Sequence, residues 1–460
     1  MTLTPAALIE REQRAFAARR PAGAALAARA GEHWLSGVPL HWMADWGTPF
    51  PLIVREAQGV TLQDVDGHRY TDFCLGDTGA MFGHSPEIIA AAITAQASRG
   101  LACMLPAASV AEVGEALAAR FGLPYWQITH TATEANRAVL RWARAITRRR
   151  EILVFHGAYH GIVDETMVRL RGGRTVAREG AIGPAFDPTI AAVAVEFNDL
   201  DALEHALRTQ RIAAVLAEPV MTNVGMVLPD EGYLQALRAL TRRYGTLLVI
   251  DETHTISSGP GGYSAAHRLE PDFWVCGKAI AGGLACAVFG FTREMEEAMR
   301  AVLAARAQDP ESVRHGSHSG MGTTLAANPL VLATLAAALN HLHTAATYLP
   351  MMRGAERLAS GLRQLFVQRG LDWHVSQVGA RVEFGFGPAP RNGRESEAQM
   401  RPELEQALHL WLLNRSLLVT PFHNMLLTAP MLPSAAVEVL CAEIGEFLDT
   451  VDVHAGGASR

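Results

Sequence analysis

The chain has 460 residues, 49% of them hydrophobic and 19% charged, with a formal net charge of −6. That length exceeds what one hydrophobic core usually serves, so two domains or lobes are expected. The acidic balance argues against a nucleic-acid or anionic-membrane partner, and five scattered cysteines without a CxxC pair argue against a disulfide framework or a zinc site.

The Ala- and Arg-rich start holds Glu10 and Glu12 and has no apolar targeting core, so it reads as an N-terminal helix. No apolar stretch is long enough to span a bilayer, and the expectation is a soluble, cytoplasmic protein with no membrane partner. Residues 50–74 alternate in short runs broken by Gly59, Asp66 and Gly67, the pattern of an antiparallel ribbon with an Asp-Gly turn. Between about 125 and 295, short apolar runs (REILVFHG, IAAVAVEF, IAAVLAEPV, GTLLVIDE, DFWVCGKAI, CAVFGFT) alternate with helical patterns such as DLDALEHALRTQ. Runs without strict alternation suit strands covered on both faces, hence an α/β fold with a mostly parallel sheet. One long helical pattern runs from Pro329 to a stop near Gly370, followed by mixed strands (VGARVEFGF, SLLVTPF) and helices. The expected organisation is a large domain over 76–328, with residues 1–75 and 329–460 building a smaller α+β domain from both chain ends.

Four spots in the α/β region combine into one chemistry. LLVIDETH ends an apolar strand on Asp251, at the sheet edge where ligands sit in open α/β folds, although a helix N-cap is the ordinary alternative. WVCGKAIAGGLA places Lys278 after a strand and before a small-residue turn. A lone lysine there is usually a surface residue, but one in an apolar setting is costly to bury charged and suits Schiff-base formation. THTATEANRAV sets Thr131 and Thr133 at a helix start, suited to a phosphate or simply to capping. FHGAYHG puts Tyr159 and His160 just past a strand, where an aromatic can stack on a planar ring or pack in the core. A phosphate cradle, a ring stacker, an acid for a ring nitrogen and a Schiff-base lysine are together what pyridoxal 5'-phosphate requires. The histidines show no metal-site spacing, so no metal is expected. Trp42, Trp46 and Trp142 are expected to pack, and Cys276 to be a buried thiol.

On these residues the chain resembles the class III (omega-type) pyridoxal-phosphate aminotransferases, especially glutamate-1-semialdehyde aminomutase-like members, from about residue 50 to 450. GVTLQDVDGHRYTDF with GHSPEI looks like the family's N-terminal signature, and TATEANRAV like its phosphate turn, which implies that role for Thr131, Ala132 and Thr133. The resemblance implies an aspartate-aminotransferase-like fold, Tyr159 as stacker, Glu218 as organiser of the site with Asn223 nearby, and Asp251 as the acid on the ring nitrogen. It also implies Thr253 beneath the ring, Lys278 as the Schiff-base lysine, and a homodimer in which Thr324 of TTLAANP serves the partner's phosphate. Where the family commonly has glycine, valine, Phe-Arg and proline, this chain has Ala132, Thr253, Ser257 with Ser258, and Ala285. Thr323 stands for the glycine before Thr324, and His423 or Asn424 for a loop glutamate.

The expected function is a transaminase that moves an amino group from an amine or amino-acid donor to a keto-acid acceptor. The alternative is an intramolecular aminomutase or epimerase using the same site, and a non-catalytic cofactor-binding relic is the third reading. Trp46, Phe50, Met81, Phe82 and Phe422 suggest a hydrophobic or long-chain amine.

Overall fold

The apolar runs of the middle of the chain form one seven-stranded sheet in the computed structural model, which describes residues 2–314, 319–420 and 422–455. In chain order its strands are β1 (Tyr125–Thr129), β2 (Glu151–Phe155), β3 (Ala192–Val195), β4 (Ile212–Ala217), β5 (Leu247–Asp251), β6 (Phe273–Cys276) and β7 (Ala287–Phe291). They lie in the order β1-β7-β6-β5-β4-β2-β3. β5 pairs in parallel with both β4 and β6, whereas β7 runs antiparallel to β6 and to β1. The one reversed strand follows from its connection: the tight turn through Gly282 and Gly283 leaves no room for the crossover a parallel neighbour needs. Every residue of β4, β6 and β7 is buried, so these strands need apolar residues on both faces.

The chain divides into two compact units, Glu87–Tyr348 with Pro390–Ala398, and Met1–Pro86 with Leu349–Ala389 and Gln399–Arg460. The seven-stranded sheet is the centre of the first. Its division points fall at Pro86 and Leu349, where the sequence suggests 75 and 328, because Pro329–His341 buries Val331, Leu332, Leu335, Ala338 and Leu339 within this unit. The single helix expected from Pro329 to Gly370 is two, Pro329–His341 and Ala345–Gln368. Trp142 packs in the core beneath the sheet, and Cys276 is fully buried.

In the other unit the ribbon forms from Val54–Gln58, Thr61–Asp64 and Arg69–Asp72, with Gly67 at φ 92° in its turn. The C-terminal run SLLVTPF shortens to Leu417–Leu418, parallel to Arg69–Asp72, and its Pro421 lies outside the described residues. VGARVEFGF contributes Arg381–Phe384 to a three-stranded sheet. Met81 and Phe82 are buried, Phe50 packs on Phe16 with ring centroids 5.1 Å apart, and Trp46 joins the same cluster. Four of the five apolar residues that suggest a hydrophobic amine are thus buried or packed against buried residues. Among the described residues no single helix is long and apolar enough to cross a membrane.

Candidate active site

β5 and β6 deliver the acid and the lysine side by side. Asp251 is the last residue of β5 and lies level with Val275 of β6, and Lys278 follows Val275 by three residues. Asp251 is buried, and its Oδ2 accepts from Asn136 Nδ2 at 2.9 Å and His160 Nδ1 at 3.0 Å. Its Oδ1 accepts from the Thr253 hydroxyl at 2.7 Å and the Thr253 N–H at 3.1 Å. Burial acts to raise the carboxyl, but His160, Thr253 and Asn136 outweigh it and hold Asp251 down at about 2. A buried carboxylate kept anionic in this way is what a protonated ring nitrogen needs.

The Thr253 hydroxyl does a second thing: it accepts from the Gly277 N–H at 3.3 Å, one residue before Lys278. The residue that replaces valine therefore ties the acid to the lysine loop. Lys278 itself is half-buried and sits at φ 49°, a left-handed conformation that costs a non-glycine residue about 1–3 kcal/mol and survives only where surroundings enforce it. The enforcement comes from a turn that closes at Gly282, φ 68°, where a Cβ would stand 2.6 Å from Ile89. The Lys278 amine lies 2.8 Å from His254 Nε2.

Thr131 is the N-cap of the sixteen-residue helix Ala132–Thr147, its hydroxyl accepting from the Glu134 N–H at 3.3 Å. The Ala132 methyl that replaces the family glycine is accommodated against Gly277, where a Cβ would come within 3.1 Å of it. Thr133 Oγ1 accepts from the Ile162 N–H at 3.2 Å, and Gly161 approaches so closely that a Cβ would stand 2.1 Å from that oxygen. Tyr159 is exposed, with the Arg178 guanidinium 5.7 Å from its ring centroid. Its N–H points to Glu218 Oε1 at 3.4 Å. Glu218 is buried and burial pushes its carboxyl up, against His160 and the donors Thr222 and Asn223, the latter at 3.1 Å. Thr324 is exposed, and the neighbouring Thr323 hydroxyl stands 3.2 Å from His130 Nδ1.

Three residues were not given a role from sequence. Asn136 is one helical turn past the phosphate turn, on the buried face, and His160 follows the expected stacker; both serve Asp251 instead. His254 meets the lysine. Only the strand-end position of His254, one residue past Thr253, could have signalled it. Ser257, in place of the family's Phe-Arg, is buried and donates to the His254 carbonyl at 3.0 Å. Burial raises the Cys276 thiol well above its ordinary value, which leaves it unreactive. His423 and Asn424 are engaged within their own unit: His423 Nδ1 with Glu383 at 2.9 Å, Asn424 Nδ2 with the Phe384 carbonyl at 3.2 Å.

The donor set fits pyridoxal phosphate: an anionic buried acid, a lysine one strand over, and a helix N-terminus bearing two threonine hydroxyls. Fold and site together define a pyridoxal-phosphate enzyme of the aspartate-aminotransferase-like fold. The family model for class-III aminotransferases matches residues 42–381, and the chain belongs to that family. A glutamate-1-semialdehyde 2,1-aminomutase from Desulfitobacterium hafniense (strain DSM 10664 / DCB-2) is 31% identical over 346 residues, 74% of this chain and 77% of that protein. The crystal structure of a glutamate-1-semialdehyde-aminomutase from Pseudomonas aeruginosa PAO1 matches with TM-score 0.93 and 47% identity, covering 97% of this chain and 98% of that one. A lysine-to-alanine variant of that protein is known in complex with PMP. A beta-phenylalanine aminotransferase from Variovorax paradoxus matches with TM-score 0.83 and 25% identity, over 97% of this chain and 98% of that one. The cofactor is pyridoxal phosphate.

Proposed function

We propose that the chain is an intramolecular aminomutase of the glutamate-1-semialdehyde type, which moves an amino group to the neighbouring carbon of one small carboxylate-bearing molecule. The observation that carries a lysine-based amino transfer is the delivery of anionic Asp251 and the Lys278 amine at the ends of adjacent strands. The likeness at 47% identity to the Pseudomonas aeruginosa aminomutase supports the shift within one molecule over transfer between two. When bound, the cofactor supplies an electron sink for the carbon that loses its proton.

In this reading Thr131, Ala132 and Thr133 hold the phosphate at the positive end of their helix. Tyr159 packs its ring on the cofactor, with Glu218 fixing the backbone beneath it. Asp251, braced by His160, Asn136 and Thr253, keeps the ring nitrogen protonated. The Lys278 amine would hold the cofactor covalently and, when freed, would carry the proton between substrate and cofactor carbons. The active form is a homodimer in which exposed Thr324 serves the phosphate of the other subunit.

The test is to supply glutamate-1-semialdehyde with and without a keto acid. An aminomutase forms the isomer at the same rate in both and leaves the keto acid unconsumed. Stoichiometric keto-acid consumption would instead make the chain a transaminase, the class to which its Variovorax paradoxus neighbour belongs.

A further inference from the structure

The mechanism above needs Lys278 uncharged before it can condense with the cofactor, and an ammonium at neutral pH has no lone pair to do so. His254 stands where that charge can go. Its Nε2 is 2.8 Å from the Lys278 amine, inside the range in which a general base takes a proton directly. At that distance the imidazole nitrogen is placed to accept the proton that the Lys278 amine must lose.

The surroundings fix the imidazole in place. His254 is 8% exposed and its backbone is fixed, since its carbonyl accepts from both the Ser257 hydroxyl at 3.0 Å and the Ser257 N–H at 3.3 Å. Asp251 and Glu252 precede it on the same strand end, with Cys276 on β6 and, across Asp251, His160 and Glu218. Of these, Asp251 is an anion.

We propose that His254 is the catalytic base for Lys278. A proton passes from Nζ to Nε2, and the freed lone pair forms the C–N bond to the aldehyde carbon of pyridoxal phosphate. The carbonyl oxygen leaves as water with the two remaining amine hydrogens, and the imidazolium returns its proton to the imine nitrogen. The same exchange recharges and discharges Lys278 each time it is released during turnover. This rests on the cofactor reading above but on no particular substrate.

The experiment is stopped-flow mixing of cofactor-stripped full-length chain with pyridoxal phosphate, following the visible Schiff-base band. His254→Gln keeps a hydrogen-bonding side chain but cannot take the proton, and His254→Ala removes both functions. Both variants are expected to lower the saturating rate of condensation by about 10²-fold without changing the half-saturating cofactor concentration. Added imidazole is expected to restore the alanine variant. A glutamine variant that condenses at the wild-type rate would show that a hydrogen bond suffices and overturn the proposal, as would two variants at wild-type rate. If either variant fails to fold, the wild-type profile decides: an acid limb in the imidazole range, about 6–7, supports the proposal, and one in the lysine range, about 10, overturns it. A Lys278→Ala chain that develops the same band would defeat the cofactor reading and this proposal with it. No arm uses a substrate, so the amino-shift reading stands or falls separately.

Discussion

Thr253 shows how one atom changes a site's wiring. Where a valine would offer only a methyl, its hydroxyl donates to Asp251 at 2.7 Å and accepts from the Gly277 N–H at 3.3 Å. Thr253→Val, nearly the same shape, removes both bonds and leaves a buried backbone N–H without its acceptor. An unsatisfied buried donor costs about 1–3 kcal/mol, so urea unfolding should place the variant that much below wild type. An unchanged stability would mean that the Gly277 N–H finds another partner. The substitution was plain in the sequence, but its meaning was not. A threonine after a strand-end aspartate can cap, touch a ring or bridge, and only the position of β6 decides among them. The same holds for His160 and Asn136, which lie 91 and 115 residues from Asp251.

At the scale of elements, the lysine turn is held from behind by the end of the helix Pro329–His341. His343, just past that helix, is fully buried, its Nε2 3.2 Å from the Ile280 carbonyl and its Nδ1 3.2 Å from the Tyr348 hydroxyl. A carbonyl only accepts, so Nε2 carries a proton. Burial pushes His343 down to about 4, with the Ile280 carbonyl opposing. The unfolded chain, with an ordinary histidine near 6.5, therefore binds this proton more readily than the folded one. The stabilisation is complete above about pH 6.5 and is lost as pH falls towards about 4, on the order of 3 kcal/mol. Urea unfolding of wild type and His343→Phe at about pH 7 and about pH 4.5 should show the larger loss in wild type; equal losses would mean that His343 does not titrate differently on folding. The strands themselves were readable from their apolar runs, because strands buried on both faces tolerate little else. The antiparallel direction of β7 was not, since a tight turn through Gly282 and Gly283 and a longer crossover look alike until the register is known. Nor was the break at 342–344, where one continuous helical period spans two helices.

On the scale of the whole chain, the two units differ in how far residues alone explain them. The sheet-bearing unit announces its chemistry through Asp251, Lys278 and the 131–133 turn, spots that the fold brings to one edge. The other unit gave misleading signals. Met81 and Phe82 suggest a hydrophobic amine in sequence and are buried in the fold, and His423 pairs with Glu383. Apolar residues near a signature motif are ambiguous because core and pocket draw on the same types. The proposed chemistry rests on one nitrogen. Lys278→Ala keeps Asp251, its three braces and the helix N-terminus, so the variant should still bind cofactor but lose turnover of glutamate-1-semialdehyde by more than about 10³-fold. Cofactor content and isomer formation measured on the same preparation give both answers. Bound cofactor with turnover abolished is the predicted result, and near-wild-type turnover without the Lys278 amine would contradict the account.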